Sequence, residues 1–283
     1  MVARDKEGGM LASGKRYYQF VREERLFCAA LAHLLMQKGS NLTTFLQLVN
    51  AKSPADSQLP LTRIDEAEVY VEFAFLRDYW HGLARDNDAK RRFIFDLFSR
   101  VDRLRHYESD SFPSVIGEFN GTFMGSPGTR IRNDIVYPGR WSVTGLFERF
   151  GARPDEFRDF CRFKWSFNIK PDVVVLLPGS KPLCVEAKFE SKEGRYPTSS
   201  SDCVAFDAAF GEEQGHVGQI ELQQFMFDKL LDARCQSVFI GRSALSEPDS
   251  ISLSWEEVFK QLDLTSSIGY VRKLVEDNKH LAA

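Results

Sequence analysis

No Cys-x-x-Cys pair occurs anywhere in the chain. The five cysteines (Cys28, Cys161, Cys184, Cys203 and Cys235) are odd in number and widely spaced. That argues against a disulfide framework or a zinc site and fits a reducing compartment. No uninterrupted apolar run approaches the ~18 residues of a membrane span. The opening MVARDKEGGM has no apolar signal-peptide core, so the sequence predicts a cytoplasmic protein without a membrane partner. A Walker-type glycine loop is missing, and nucleotide hydrolysis would have to come from a partner. The five histidines show no ligand spacing, and no Ser/His/Asp or Cys/His pattern supports nucleophilic catalysis. Excess positive charge is missing too. Lys and Arg number 37 against 40 Asp and Glu, a net charge of −3, so any basic binding surface must be local.

What is present is ordinary globular material, with 43% hydrophobic residues and 24 Phe among 283 residues, enough for one large domain or two small ones. Apolar residues at helical spacing predict helices over Tyr17–Lys38, within 40–63, and over Glu66–Leu83 and Asp88–Arg105. Gly, Pro, Asn and Ser then punctuate short β-like runs up to Trp141. We place a soft boundary near residue 108, between a mainly helical region (1–108) and a second domain (109–283). In the latter the pattern predicts a helix from Pro154, strands at Asp172–Leu177 and Leu183–Phe189, and a loop over 191–212. A helix from about Gly218 to Ala233, a strand at 237–241 and two closing helices follow. Ser254 has the position of an N-cap for the first of these two.

The stretch KPDVVVLLPGSKPLCVEAKFE, residues 170–190, carries the chemistry. Charged residues inside buried strands are costly unless paired or liganded. With a five-residue turn at 178–182, Leu177 faces Leu183, Val174 faces Glu186 and Asp172 faces Lys188. Side chains alternate between faces with period two. Asp172, Glu186 and Lys188 are therefore expected on one face, and Val173, Val175, Val185 and Ala187 on the other. A cross-strand Asp172–Lys188 salt bridge accounts for two of the three charges and leaves Glu186 beside another carboxylate. A cation held between the carboxylates accounts for all three, since Mg²⁺ takes one or two carboxylates plus water and phosphate oxygens.

Pro171-Asp172, a short turn, and Glu186-Ala187-Lys188 on the next strand resemble the PD-(D/E)xK nuclease superfamily, whose fold is restriction-endonuclease-like. The resemblance covers roughly residues 150–245. It implies an α/β core, a mixed central sheet of about four or five strands flanked by helices, preceded here by the N-terminal helical region. It implies Mg²⁺- or Mn²⁺-dependent cleavage of phosphodiesters, most naturally in DNA. Asp172, Glu186 and the Ala187 carbonyl would hold the metal, and Lys188 would orient the attacking water. Many members carry a Gln-bearing helix after the ExK strand, which points to Gln219 and, one turn on, Gln223. Glu190 continues the Lys188 face as a further candidate ligand. Many members also place one more Glu on a helix before the core; Glu23, Glu24 and Glu156 qualify, with Glu24 preferred. Arg130, Arg132 and Arg140 are candidate phosphate contacts, which position nucleic acid without reading its bases. No base-reading module is recognisable. The resemblance therefore implies a nuclease subunit with a protein partner, such as an ATPase or helicase of a bacterial antiviral defence or DNA-processing complex, or a homo-oligomer. The rival expectation is a non-catalytic nucleic-acid-binding or scaffold subunit on the same fold.

Overall fold

Pro178 and Gly179 fold the chain back between two apolar runs. Gly179 takes φ 70° and Ser180 N–H donates to the Leu177 carbonyl at 3.1 Å. Pro at the second position and a left-handed Gly at the third make a type II turn. Around this turn the computed structural model describes residues 23–37, 40–125, 133–189, 193–211, 216–242 and 250–278. The elements in chain order are α1 (Glu24–Met36), α2 (Ser40–Lys52), β1 (Glu68–Val71), α3 (Phe75–Gly82), α4 (Asn87–Ser99) and α5 (Ile116–Met124). Next come α6 (Val143–Phe150), α7 (Pro154–Ser166), β2 (Val173–Leu176), β3 (Leu183–Ala187), β4 (Arg195–Tyr196) and α8 (Ser200–Phe210). The chain continues with β5 (Val217–Gly218), α9 (Gln219–Phe225), β6 (Gln236–Gly241), β7 (Ile251–Ser254), α10 (Trp255–Gln261) and α11 (Gly269–Asn278). A π-helical segment, Met226–Leu230, extends α9. The chain is thus α/β, with eleven α-helices among the described residues and a five-stranded mixed sheet. None of the described helices is long and apolar enough to cross a membrane.

These elements form two compact units, each discontinuous in sequence, that cut across residue 108. The first comprises residues 1–72, 172–192 and 236–283; the second comprises 73–171 and 193–235. In the first, the sheet order is β1-β2-β3-β6-β7, with β1, β2 and β3 successively antiparallel and β6 and β7 parallel to β3. One face of this sheet is a continuous apolar layer. Val173, Val175, Val185, Val238, Ile240 and Leu253 point into a core shared with Phe27, Leu31, Phe45, Trp255 and Leu274 from the helices. Ser254 caps α10 in a reciprocal capping box with Glu257, as the sequence predicts for Ser254.

Most of the phenylalanines lie in the second unit, where they make an aromatic core. Phe123 stacks on Trp141 at 4.0 Å and Phe150 on Phe160 at 4.0 Å, while Phe98 meets Phe163 edge-on at 4.8 Å.

Three local expectations are corrected. The helix expected over Glu66–Leu83 is the edge strand β1 followed by α3. Glu68-Val69-Tyr70-Val71 alternates, and Val69 packs on the core while its neighbours face out. Residues 109–140 carry no strand among the described residues; Ile116–Met124 is helical and buries Phe119 and Phe123. The loop expected over 191–212 contains β4 and α8, the latter capped by the Ser199 side chain.

A candidate site at the end of the central hairpin

The register of β2 on β3 differs by two residues from the expected one. Val173 pairs with Val185, Val174 with Cys184 and Val175 with Leu183. The turn at Leu177–Ser180, and Pro182 with no N–H to give to a ladder, take Leu176 and Leu177 out of the pairing. Pro182 instead offers its carbonyl to Gln236 N–H of β6 at 2.8 Å. A slip of one residue would exchange the two faces; a slip of two leaves them unchanged. The valines still enter the core, and Asp172, one step beyond the last pair, falls opposite Glu186 rather than Lys188.

Each charged residue is fixed by a different device. Asp172 Oδ2 accepts the Ala187 N–H at 2.8 Å, and its backbone carbonyl accepts the Glu72 N–H at 3.0 Å. Glu186 sits inside β3 and is 1% exposed. The backbone of Lys188 is pinned from both sides, by Ile240 O at 2.8 Å and by the Trp255 indole N–H at 3.0 Å. Its Nζ donates to Glu186 Oε1 at 2.5 Å and to Glu24 Oε1, in the first turn of α1, at 3.2 Å. In place of the cross-strand Asp172–Lys188 salt bridge weighed above as the alternative to a cation, Lys188 joins Glu24 and Glu186.

The electrostatics follow from burial. Desolvation raises the Asp172 carboxyl to about 6, with Glu24 and Glu72 adding to the rise, while the Ala187 N–H and Lys188 oppose it. Burial alone would lower the Lys188 ammonium, but Glu186, Glu24 and Asp172 together hold it above its ordinary value. Lys188 is consequently protonated at neutral pH. Cys28, one helical turn from Glu24, is pushed up by burial and then by Asp172, Glu24 and Glu186. Its thiol stays protonated, so it is unsuited to act as a thiolate.

Glu24 joins the cluster. Glu156 lies in the second unit, where it accepts from Tyr107 Oη at 2.5 Å and pairs with Arg153 at 3.1 Å. Gln219 and Gln223 also belong to the second unit, Gln223 buried and Gln219 opening α9, whose first turn is capped by Glu193 Oε1 on Ile220 N–H at 2.7 Å. Arg140 is an exposed residue of that unit. Glu190, Arg130 and Arg132 lie outside the described residues.

Sequence reasoning missed Glu72. It follows β1 directly, takes φ 53°, and is the next position on the other side of Asp172 in the β1–β2 ladder. Reading residues 66–83 as helix hid it; the alternation of Val69, Tyr70 and Val71 was the available signal.

The donors suit a hard divalent cation. Asp172, Glu186, Glu24 and the Ala187 carbonyl all offer oxygen donors. Among the described residues no group of three or more His, Cys, Asp or Glu side chains is arranged as a metal cage. A two-carboxylate site completed by water is the Mg²⁺ mode of binding rather than a full protein cage. No family model matches the chain, and no curated protein and no solved structure is significantly similar to it.

Proposed function

We propose that the protein is a metal-dependent phosphodiester hydrolase of the PD-(D/E)xK type, acting on DNA. The reading is carried by one observation: Asp172 and Glu186 meet at the end of the β2–β3 hairpin with Lys188 bonded to Glu186 and to Glu24. Asp172, Glu186 and the Ala187 carbonyl would hold Mg²⁺ or Mn²⁺, with Glu24 and Glu72 adding negative charge. When bound, such an ion acidifies a water and neutralises charge on the phosphodiester. Lys188, kept as an ammonium by Glu186 and Glu24, has no lone pair at Nζ to take the water's proton. It acts as a donor, orienting the water oxygen and stabilising charge that grows on the phosphoryl oxygens. Gln219 is carried over from the resemblance as a residue that positions water or substrate. Lacking a Walker-type loop and a base-reading module, the chain would serve as the nuclease subunit of a defence or DNA-processing assembly whose ATPase or helicase is a separate protein.

A second reading, a non-catalytic nucleic-acid-binding or scaffold subunit, draws on one feature. Lys188 is closely paired with two carboxylates, as in a purely structural ion cluster. The deciding experiment incubates purified protein with linear and circular DNA, with and without Mn²⁺, alongside Lys188→Ala. Cleavage that needs Mn²⁺ and is lost in the variant is expected. Equal cutting by the variant would remove Lys188 from the chemistry, and no cutting of either DNA in Mn²⁺ would favour the scaffold.

A further inference from the structure

The second unit carries a half-open cavity of about 400 Å³ between α3, α4 and the segment 134–140. Pockets of roughly 300–1,000 Å³ are the usual size for small-molecule ligands. Its lining combines three aromatic side chains, Trp80, His81 and Tyr137, with two cations, Lys90 and Arg140. His81 and Tyr137 stack on each other, centroids 5.8 Å apart and planes 22° from parallel.

The segment 133–139 belongs to no sheet, yet side chains clamp its backbone residue by residue. Asn87 accepts from Ile135 N–H at 2.8 Å and donates to Asn133 O at 3.0 Å. Asn120 accepts from Val136 N–H at 2.9 Å and donates to Asp134 O at 2.9 Å. Tyr137 Oη donates to the Phe167 carbonyl, and Asn168 Nδ2 donates to Gly139 O at 2.7 Å. A Cβ at Gly139 would run into the Asn168 side chain and the Tyr137 ring. Every clamp fixes a lining residue or its neighbour, so the cavity is pre-formed.

Its two cations differ. Lys90 is buried, bonded to Asp134 Oδ1 at 2.6 Å and 5.5 Å from the Trp80 ring centre, so its charge is already answered. Arg140 is exposed, and among the described residues it makes no ion pair. An aromatic wall beside one unanswered guanidinium matches a planar heterocycle bearing a phosphate. Aromatic faces stack on any base, and guanidinium forks fit phosphate oxygens.

We propose that this cavity binds a single nucleotide, its base against the His81–Tyr137 wall and its phosphate on Arg140. The site does not depend on the nuclease reading. The nucleotide has two sources, a free mononucleotide or one unstacked residue of a single strand, and the test separates them. Binding is measured in EDTA, so that nothing is cleaved. Calorimetry uses AMP, TMP and adenosine; fluorescence anisotropy uses a short fluorescein-labelled oligothymidylate. Saturable binding of a mononucleotide assigns the free source, and saturable binding of the oligonucleotide alone assigns the strand. In either case Arg140→Ala should weaken binding about tenfold, the loss of a charge-assisted phosphate contact, and His81→Ala about fivefold, the loss of stacking area. Adenosine should bind wild type no more tightly than AMP binds Arg140→Ala. Both substituted residues are exposed, so the melting curves should be unchanged. No saturable binding of any probe, or binding by both variants as tight as wild type, overturns the proposal.

Discussion

Replacing Asp172 by Asn separates a metal-binding carboxylate from a structural one. Burial raises this carboxyl from 3.8 to about 6. That rise corresponds to about 3 kcal/mol by which the native state disfavours the charged form. The sign follows from which state holds the proton. Well below 3.8 the group is protonated folded and unfolded, and it contributes nothing. Between 3.8 and about 6 the unfolded chain ionises first, so stability falls as pH rises. Above that range the full penalty persists. Asn is neutral throughout and keeps an acceptor for the Ala187 N–H. In EDTA at about pH 7.5 Asp172→Asn should therefore be more stable than wild type by up to ~3 kcal/mol, on the order of 5 °C in melting temperature. At about pH 4 the advantage should shrink toward zero. The same substitution should abolish Mn²⁺-dependent cleavage, because a neutral amide is a poor ligand for a hard cation. Melting followed by circular dichroism across this pH range tests the stability half, and a cleavage assay tests the other. An Asn variant that melts below wild type with a parallel pH profile, and still cuts DNA, would refute both the dominance of burial and the metal role.

Removing the other sign of charge should act oppositely. Lys188→Met removes the ammonium bonded to Glu24 and to Glu186, the latter 1% exposed, and should cost about 3 kcal/mol of stability together with cleavage; a wild-type melting temperature would show that these bonds contribute nothing to the fold. Mn²⁺ should raise the melting temperature of wild type, because it binds only the native state, and should leave an Asp172→Ala/Glu186→Ala variant unmoved; equal shifts in both would place the metal elsewhere. Gln219→Ala should slow cleavage less than Lys188→Met does, and full activity in it would reduce α9 to an ordinary polar face.

The hairpin was legible because parity is robust. Val173, Val175, Val185 and Ala187 could be assigned to the core face from alternation alone, and an error of two residues in the register moved none of them across the sheet. What alternation could not fix was the partner of each charge. That depended on how many residues the turn consumed, which was set by Pro182 serving β6 instead of β2. Asp172 falls opposite Glu186 instead of Lys188 for this reason. β1 was illegible for a different reason. It is a four-residue edge strand in which Glu68, Tyr70 and Val71 are all exposed, and a short run with one buried-side valine reads equally well as a helix surface. The sheet recruits it through Val69 and through backbone bonds to β2, more than 100 residues later in the chain, a pairing that no local pattern encodes. Glu72 came with it. A carboxylate that, after Glu24, adds to the rise of the Asp172 carboxyl is thus contributed by the element whose pattern was least specific.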